Sequence, residues 1–137
     1  MDTIYPSILE IKDTSYGSHF VNFLDLRLEV KNNKLVTSLY DKRDDFNFKI
    51  VNFPFLCSNI PGSPAYGVFV SQLIRYSRSS SNYLDFINRS SKLASKLLTQ
   101  GFELSRLQSS FRKFYGRHHD LVDKYSRSMS TISNDLF

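Results

Sequence analysis

The chain lacks features that mark several large classes of protein. Its 137 residues include no tryptophan and one cysteine, Cys57, which excludes an internal disulfide and a cysteine-based zinc site. No segment approaches the roughly 18 consecutive apolar residues that a membrane-spanning helix requires. The first residues, MDTIYPSILEIKD, are acidic and have no apolar signal segment. We therefore expect an intracellular protein, nuclear or cytoplasmic, that does not enter a membrane.

Positive charge is in surplus only in the second half of the chain. Residues 1–62 carry seven basic and eight acidic side chains, whereas residues 63–137 carry eleven basic and five acidic ones. Clustered positive charge favours a polyanionic partner, because such a partner releases condensed counterions on binding. An ordinary solvated basic surface is the alternative explanation.

Residues 1–62 have the pattern of a small antiparallel β-meander with an aromatic-rich connector. Strands are predicted at Ile8–Lys12, Phe23–Val30 and Leu35–Tyr40, with an asparagine turn between the last two. Strict alternation then predicts a buried sheet face and a solvent face. The buried face would hold Leu24, Leu26, Leu28 and Val30, and the solvent face Asp25, Arg27 and Glu29. The phenylalanines of the connector are predicted to anchor it to the core.

Residues 63–128 change to helical periodicity and predict a three-helix unit. Ser63 followed by Pro64 is a typical helix start, and Gly101 is well placed to end the second helix. The third helix is predicted to begin at Ser105, and its apolar stripe extends to Met129. Residues 129–137 are predicted to be a frayed tail. The second and third helices would form a helix-turn-helix-like pair. The predicted fold class is α+β.

The segment YDKRDD, residues 40–45, is a candidate metal site with three carboxylates. Phosphoryl transfer through Mg²⁺ needs carboxylates that converge from separate elements. The intervening Lys42 and Arg43 favour the alternative, a turn whose charges pair locally. His118 and His119 point about 100° apart on a helix, so the pair is not predicted to bind a metal, and no cofactor-binding motif is present.

Cations of the third helix are the candidate binding residues. At 100° per residue they fall within about 40° of one another, opposite the apolar stripe. We expect them to contact phosphates, and we expect their neutralisation to leave the fold unchanged. Two further cations at the hairpin end are added to the predicted nucleic-acid-binding set. The set is Arg106, Lys113, Arg117, Lys124, Arg127, Lys42 and Arg43.

A series of motifs resembles one family. NFLDLRLEV, KNNKLVTSLYDKRDDFNFKIVNFPF, SNIPGSPAYGVFVSQLIRYSR, KLLTQGF and SSFRKFYGR occur in this order. Together they resemble the region just downstream of the catalytic palm in reverse transcriptases of animal retroelements, of the Penelope-like or DIRS-like kind. The resemblance covers about residues 8–125.

The resemblance implies a non-catalytic part of such an enzyme. In the family, the metal-binding aspartates lie in an aromatic-x-Asp-Asp hairpin upstream of the segment that matches Phe23-Leu24-Asp25. Asp44 and Asp45 do not match that motif, because Lys42 stands where the aromatic residue belongs. We therefore expect no catalysis and a nucleic-acid partner, RNA or DNA. The alternative is a protein-interaction segment or an inert remnant, whose sheet face packs on a missing palm domain or on another chain.

Overall fold

The computed structural model describes residues 19–48, 53, 55–59 and 61–137. In this part of the chain a three-stranded antiparallel sheet precedes a group of helices, which confirms the predicted α+β class. The predicted strand Ile8–Lys12 lies outside the described residues. The elements are β1 (Phe20–Phe23), β2 (Leu26–Lys31), β3 (Lys34–Leu39), α1 (Gly62–Ser79), α2 (Tyr83–Thr99), α3 (Leu104–His118), α4 (Asp120–Asp123) and α5 (Met129–Leu136).

The sheet is a meander in the order β1-β2-β3, but its strands differ from the predicted ones. The long predicted strand Phe23–Val30 is interrupted by a turn at Leu24 and Asp25, where Leu24 has a φ of 54°. The segment predicted as one strand is therefore divided between the end of β1 and β2. The turn between β2 and β3 is the predicted one, with Asn32 and Asn33 at φ values of 51° and 58°.

The side chains of the sheet divide into an apolar face and a polar face, but the apolar face is not the buried one along its whole length, as the prediction required. Arg27 and Glu29 are half-buried beside a cleft that the helices form, whereas Val30 and the turn residue Leu24 are exposed. The predicted burial is therefore wrong for Leu24 and Val30, and Leu26 and Leu28 are only half-buried. We call the apolar side the outer sheet face. It comprises Val21, Phe23, Leu26, Leu28, Val30 and Leu35, together with Thr37 and Leu39 at the end that meets the helices.

The sheet is attached to the helices mainly through β3. The Leu39 side chain is buried among core residues, and α1 and α2 both contact β3. The amide of Ser81 donates to the carbonyl oxygen of Thr37 at 2.9 Å, so the loop between α1 and α2 continues the hydrogen bonding of the strand edge. Because the attachment is at the Leu39 end of β3, the helices cover that end of the outer sheet face, and Val30 and Leu35 at the other end remain exposed.

The predicted anchoring by phenylalanines holds for one of the described connector residues. Phe53 packs against the core, whereas Phe46, Phe48 and Phe55 are exposed. The rings of Phe46 and Phe48 contact each other instead, with centroids 5.3 Å apart. The connector residue Leu56 is tied to the helices, because its amide donates to the carbonyl oxygen of Gln100 at 3.0 Å.

Helix boundaries follow the local signals closely. α1 begins at Gly62, with Pro61 rather than Ser63 as the N-cap and no side-chain cap. α2 begins after Asn82, whose side chain accepts a hydrogen bond from the Leu84 amide at 3.2 Å. It ends before Gly101, which has a φ of 89°, a backbone conformation that favours glycine.

The helices form a closed arrangement around an aromatic core. α1 and α5 each pack against both α2 and α3, so α2 and α3 pack mainly on other helices rather than on each other, unlike the predicted helix-turn-helix-like pair. The tail predicted to be frayed is α5. Its Ile132 and Leu136 side chains are buried, which makes α5 part of the core. The largest fully buried side chains include Phe69, Phe86, Phe111, Phe114, Leu73, Leu97, Leu107 and Ile132.

The predicted third helix is divided in two. α3 ends at His118, and α4 follows after the single residue His119. The chain then turns at Ser126, which has a φ of 53°. Residues after this turn no longer share the face that a continuous helix would give them. Among the described residues, no helix combines the length and apolar character needed to cross a membrane.

Candidate nucleic-acid interface

Three of the predicted cations share the exposed side of α3. Lys113 and Arg117 are exposed and lie one turn apart, and Arg106 lies two turns before Lys113. The Arg106 guanidinium contacts the Glu103 carboxylate at 3.4 Å, and it lies 5.7 Å from the centroid of the Tyr66 ring. Within the part of the chain that the structure describes, Lys113 and Arg117 form no ion pair or hydrogen bond. They are therefore the two α3 cations of the predicted set that are free to bind an external anion.

The ammonium group of Lys124 is engaged by the backbone of the protein, contrary to the prediction, although the residue as a whole stays exposed. Its ammonium group donates hydrogen bonds to the carbonyl oxygens of Ser77 and Ser80, at the C-terminal end of α1. Burial lowers the pKa of the Lys124 ammonium group. The prediction failed because it placed Lys124 on a continuous third helix, whereas the chain has left α3 before this residue.

Arg127 is likewise displaced from the α3 face. Its guanidinium lies 5.4 Å from the centroid of the Tyr83 ring, on α2. The Tyr83 hydroxyl donates to the carboxylate of Asp135 on α5. Burial and this hydrogen bond raise the pKa of Tyr83 to about 12. Arg127 therefore covers a junction between α2 and α5, at a distance in sequence from the remaining cations.

The two hairpin cations differ from each other. Lys42 is exposed in a 3-10 turn that spans Lys42–Asp45, whereas Arg43 forms an ion pair with Asp41. The Nε of Arg43 donates to one carboxylate oxygen of Asp41 at 2.8 Å, and its terminal nitrogen donates to the other oxygen. This pairing lowers the pKa of the Asp41 carboxyl group. The Arg43 guanidinium is thus bound to Asp41 beside the turn, whereas Lys42 remains exposed.

The three carboxylates of YDKRDD each have a separate partner. Asp41 pairs with Arg43, Asp44 pairs with Arg89 of α2, and Asp45 accepts a hydrogen bond of 2.7 Å from the Tyr40 hydroxyl. The described residues contain no group of three or more metal-ligating side chains placed to share an ion. The alternative of a locally paired turn fits Asp41 and Asp45, whereas Asp44 is paired with a distant residue of α2 and Lys42 with none of the three.

Two arginines have structural roles that sequence patterns do not reveal. Arg89 lies on the side of α2 that the sequence assigns to solvent, yet its guanidinium contacts the Asp44 carboxylate and the carbonyl oxygen of Leu39. Arg75 of α1 pairs with Asp25 at 2.8 Å. Both arginines connect a helix to the sheet region, and their partners lie 45 or more residues earlier in the sequence. Local periodicity contains no signal for such pairs.

His118 is half-buried at the end of α3, and its ring centroid lies 6.0 Å from that of Phe114. This position agrees with the apolar stripe on which the sequence places it. The aromatic residues Phe111 and Phe114 of the SSFRKFYGRHH segment are fully buried in the core. They are therefore unavailable for stacking on bases, whereas Arg112, Lys113 and Arg117 of this segment are exposed.

No protein-family model, curated protein or solved structure matches the chain significantly.

Proposed function

We propose that this chain is a non-catalytic, nucleic-acid-binding segment similar to the post-palm region of a retroelement reverse transcriptase, acting inside the cell. The observation that carries the proposal is the exposed pair Lys113 and Arg117, one turn apart on α3 and without partners in the described structure. Arg106 extends the same side of the helix. Such a row of cations suits phosphates along a nucleic-acid strand, and contacts of this kind bind without reading sequence.

The distribution of charge supports a polyanion over a small anionic ligand. The second half of the chain carries eleven of the 18 basic residues, and the α3 cations line neither of the two clefts beside the sheet. An open cationic surface suits a long phosphate backbone, whereas a small anion needs convergent donors. Because Phe111 and Phe114 of α3 are fully buried, the binding we propose is electrostatic and does not use these rings for base stacking.

A salt titration tests the proposal. Changing Lys113 and Arg117 to Gln together should lower the slope of log K against log salt by about 1.4–1.8 if both contact phosphate. The matched control changes Lys34 and Lys92 to Gln, which removes the same charge from exposed positions outside α3. Binding of single-stranded and duplex RNA and DNA is measured for parent, variant and control. Equal slopes for variant and control would contradict the proposal.

A further inference from the structure

The two clefts beside the sheet share three lining residues and form one elongated space. They have volumes of about 670 Å³ and 360 Å³, within the range of small-molecule sites. Arg27 and Ser38, opposite each other on β2 and β3, line both clefts together with Asp85 in the first turn of α2. We call the combined space the sheet cleft. Its centre therefore lies between the polar face of the sheet and the start of α2.

Most charged side chains of the sheet cleft are already paired within the protein. Four basic and five acidic side chains line it. Glu29 pairs with Lys31 at 3.1 Å, and Lys124 is engaged by backbone carbonyl oxygens. The pairs at the opposite end of the cleft are Asp41 with Arg43, Asp44 with Arg89 and Asp45 with the Tyr40 hydroxyl. One cation and one carboxylate of the lining remain, Arg27 and Asp85.

The side chains of Arg27 and Asp85 form no hydrogen bond or ion pair with the residues that the structure describes. Both residues are half-buried, and they do not pair with each other although they line the same cleft. The Arg27 guanidinium lies 3.7 Å from the centroid of the Phe20 ring, a contact that pairs none of its N–H donors with an acceptor oxygen. A half-buried charge has lost part of its hydration, so a ligand that supplies the opposite charge stabilises it.

We infer that the sheet cleft binds a small zwitterion, an amino acid or a short peptide, whose carboxylate pairs with Arg27 and whose ammonium group pairs with Asp85. One guanidinium suits one carboxylate, because it can donate two parallel hydrogen bonds to the two oxygens. The Ser38 hydroxyl, on the same face of the sheet as Arg27, adds a neutral donor and acceptor.

The charge of the sheet cleft disfavours a phosphate ligand. Carboxylates outnumber cations in its lining, and the acidic end at Asp41, Asp44 and Asp45 would repel an anion with more than one charge. A single carboxylate paired with Arg27 avoids most of this repulsion when an ammonium group accompanies it. The α3 cations line neither cleft, so this inference does not depend on the proposed nucleic-acid binding.

An NMR titration of the isotope-labelled full chain with glycine, diglycine and triglycine tests the inference. These probes differ in the separation of the ammonium group from the carboxylate. At least one of them should bind, and the tightest binder distinguishes a free amino acid from a peptide. N-acetylation or C-amidation of that probe should weaken binding by roughly tenfold or more, because each modification removes one charged pair.

Two variants assign the two charged groups of the probe to their partners. Arg27→Gln should bind the free and the C-amidated probe equally, and Asp85→Asn should bind the free and the N-acetylated probe equally. Each variant thus loses one discrimination and keeps the other, which a general loss of structure would not produce. Lys92→Gln and Asp120→Asn, at exposed positions outside the sheet cleft, are the matched controls and should bind as the parent does.

Three binding results overturn the inference: no free probe binds the parent, blocked probes bind as tightly as free ones, or the variants keep both discriminations. Thermal melting adds a readout that needs no ligand. Arg27→Gln and Asp85→Asn should each melt at or above the temperature of the parent, because each removes a half-buried charge that has no polar partner in the described structure. A variant that melts well below the parent would mean that its charge is paired within the protein, and this too contradicts the inference.

Discussion

The ammonium group of Lys124 donates a hydrogen bond of 2.8 Å to the carbonyl oxygen of Ser80, the C-cap residue of α1. It also donates to the carbonyl oxygen of Ser77, and the Tyr125 hydroxyl donates to Ser80 at 2.7 Å. The last carbonyl groups of a helix have no partner within the helix and carry partial negative charge. Lys124 and Tyr125 together supply the partners that α1 lacks at this end.

Replacing Lys124 with methionine should therefore destabilise the fold. We expect a loss of about 1 kcal/mol, because the carbonyl groups lose both a hydrogen-bond donor and a favourable positive charge. Urea unfolding measures the change, with Lys113→Met as the matched control on the exposed side of α3. Lys124→Met should lose more stability than Lys113→Met, whereas Lys113→Met should lose more nucleic-acid affinity than Lys124→Met. If the two variants unfold at the same urea concentration, Lys124 does not cap α1.

The difference between these two lysines shows where sequence analysis succeeds and where it fails. Local signals predicted α2 and the buried stripe of α3 well, because periodicity and capping depend on residues a few positions apart. The sequence places Lys124 on the same helix face as Lys113, but α3 ends at His118 and Lys124 follows the short helix α4. Its partners are 44 and 47 residues earlier in the sequence. Such a contact depends on tertiary packing.

The sheet shows the same limit in a different form. Alternation assigned the apolar residues of β2 to one face correctly, as the strand pairing with β3 shows. Burial, however, depends on what the sheet packs against, and the helices attach along β3 beside the polar face. A turn at Leu24 requires positive φ, which the sequence pattern did not indicate for a leucine.

α5 should contribute strongly to stability. Ile132 is fully buried, and α5 contacts both α2 and α3. Ile132→Ala should cost about 2–4 kcal/mol, because it removes apolar contacts and leaves a cavity in the core. The matched control is Met129→Ala on the same helix, where the side chain is 40% exposed. Thermal or urea unfolding compares the two, and a small, equal effect of both would mean that the tail is frayed after all.

The ion pair of Asp41 and Arg43 predicts a dependence of stability on acid pH. Hydrogen bonds from Arg43 lower the pKa of Asp41 below the ordinary aspartate value of 3.8. A carboxyl group with a lowered folded pKa stabilises the fold above its unfolded pKa. That contribution is lost as pH falls through the lower, folded value. We assign this pH dependence to Asp41, because its side chain is only 18% exposed beside the 3-10 turn.

Asp41→Asn should therefore lower stability at neutral pH and have a diminishing effect at acid pH. We expect about 0.5–1 kcal/mol at pH 7, since the pair is partly shielded and the asparagine oxygen still accepts from the Arg43 amide. The difference between parent and variant should shrink as pH falls below 3.8. Asp120→Asn, at an exposed position, provides the control. Urea unfolding of the three proteins across this range measures the effect, and a difference that is constant with pH would assign the loss to packing rather than to the charge of Asp41.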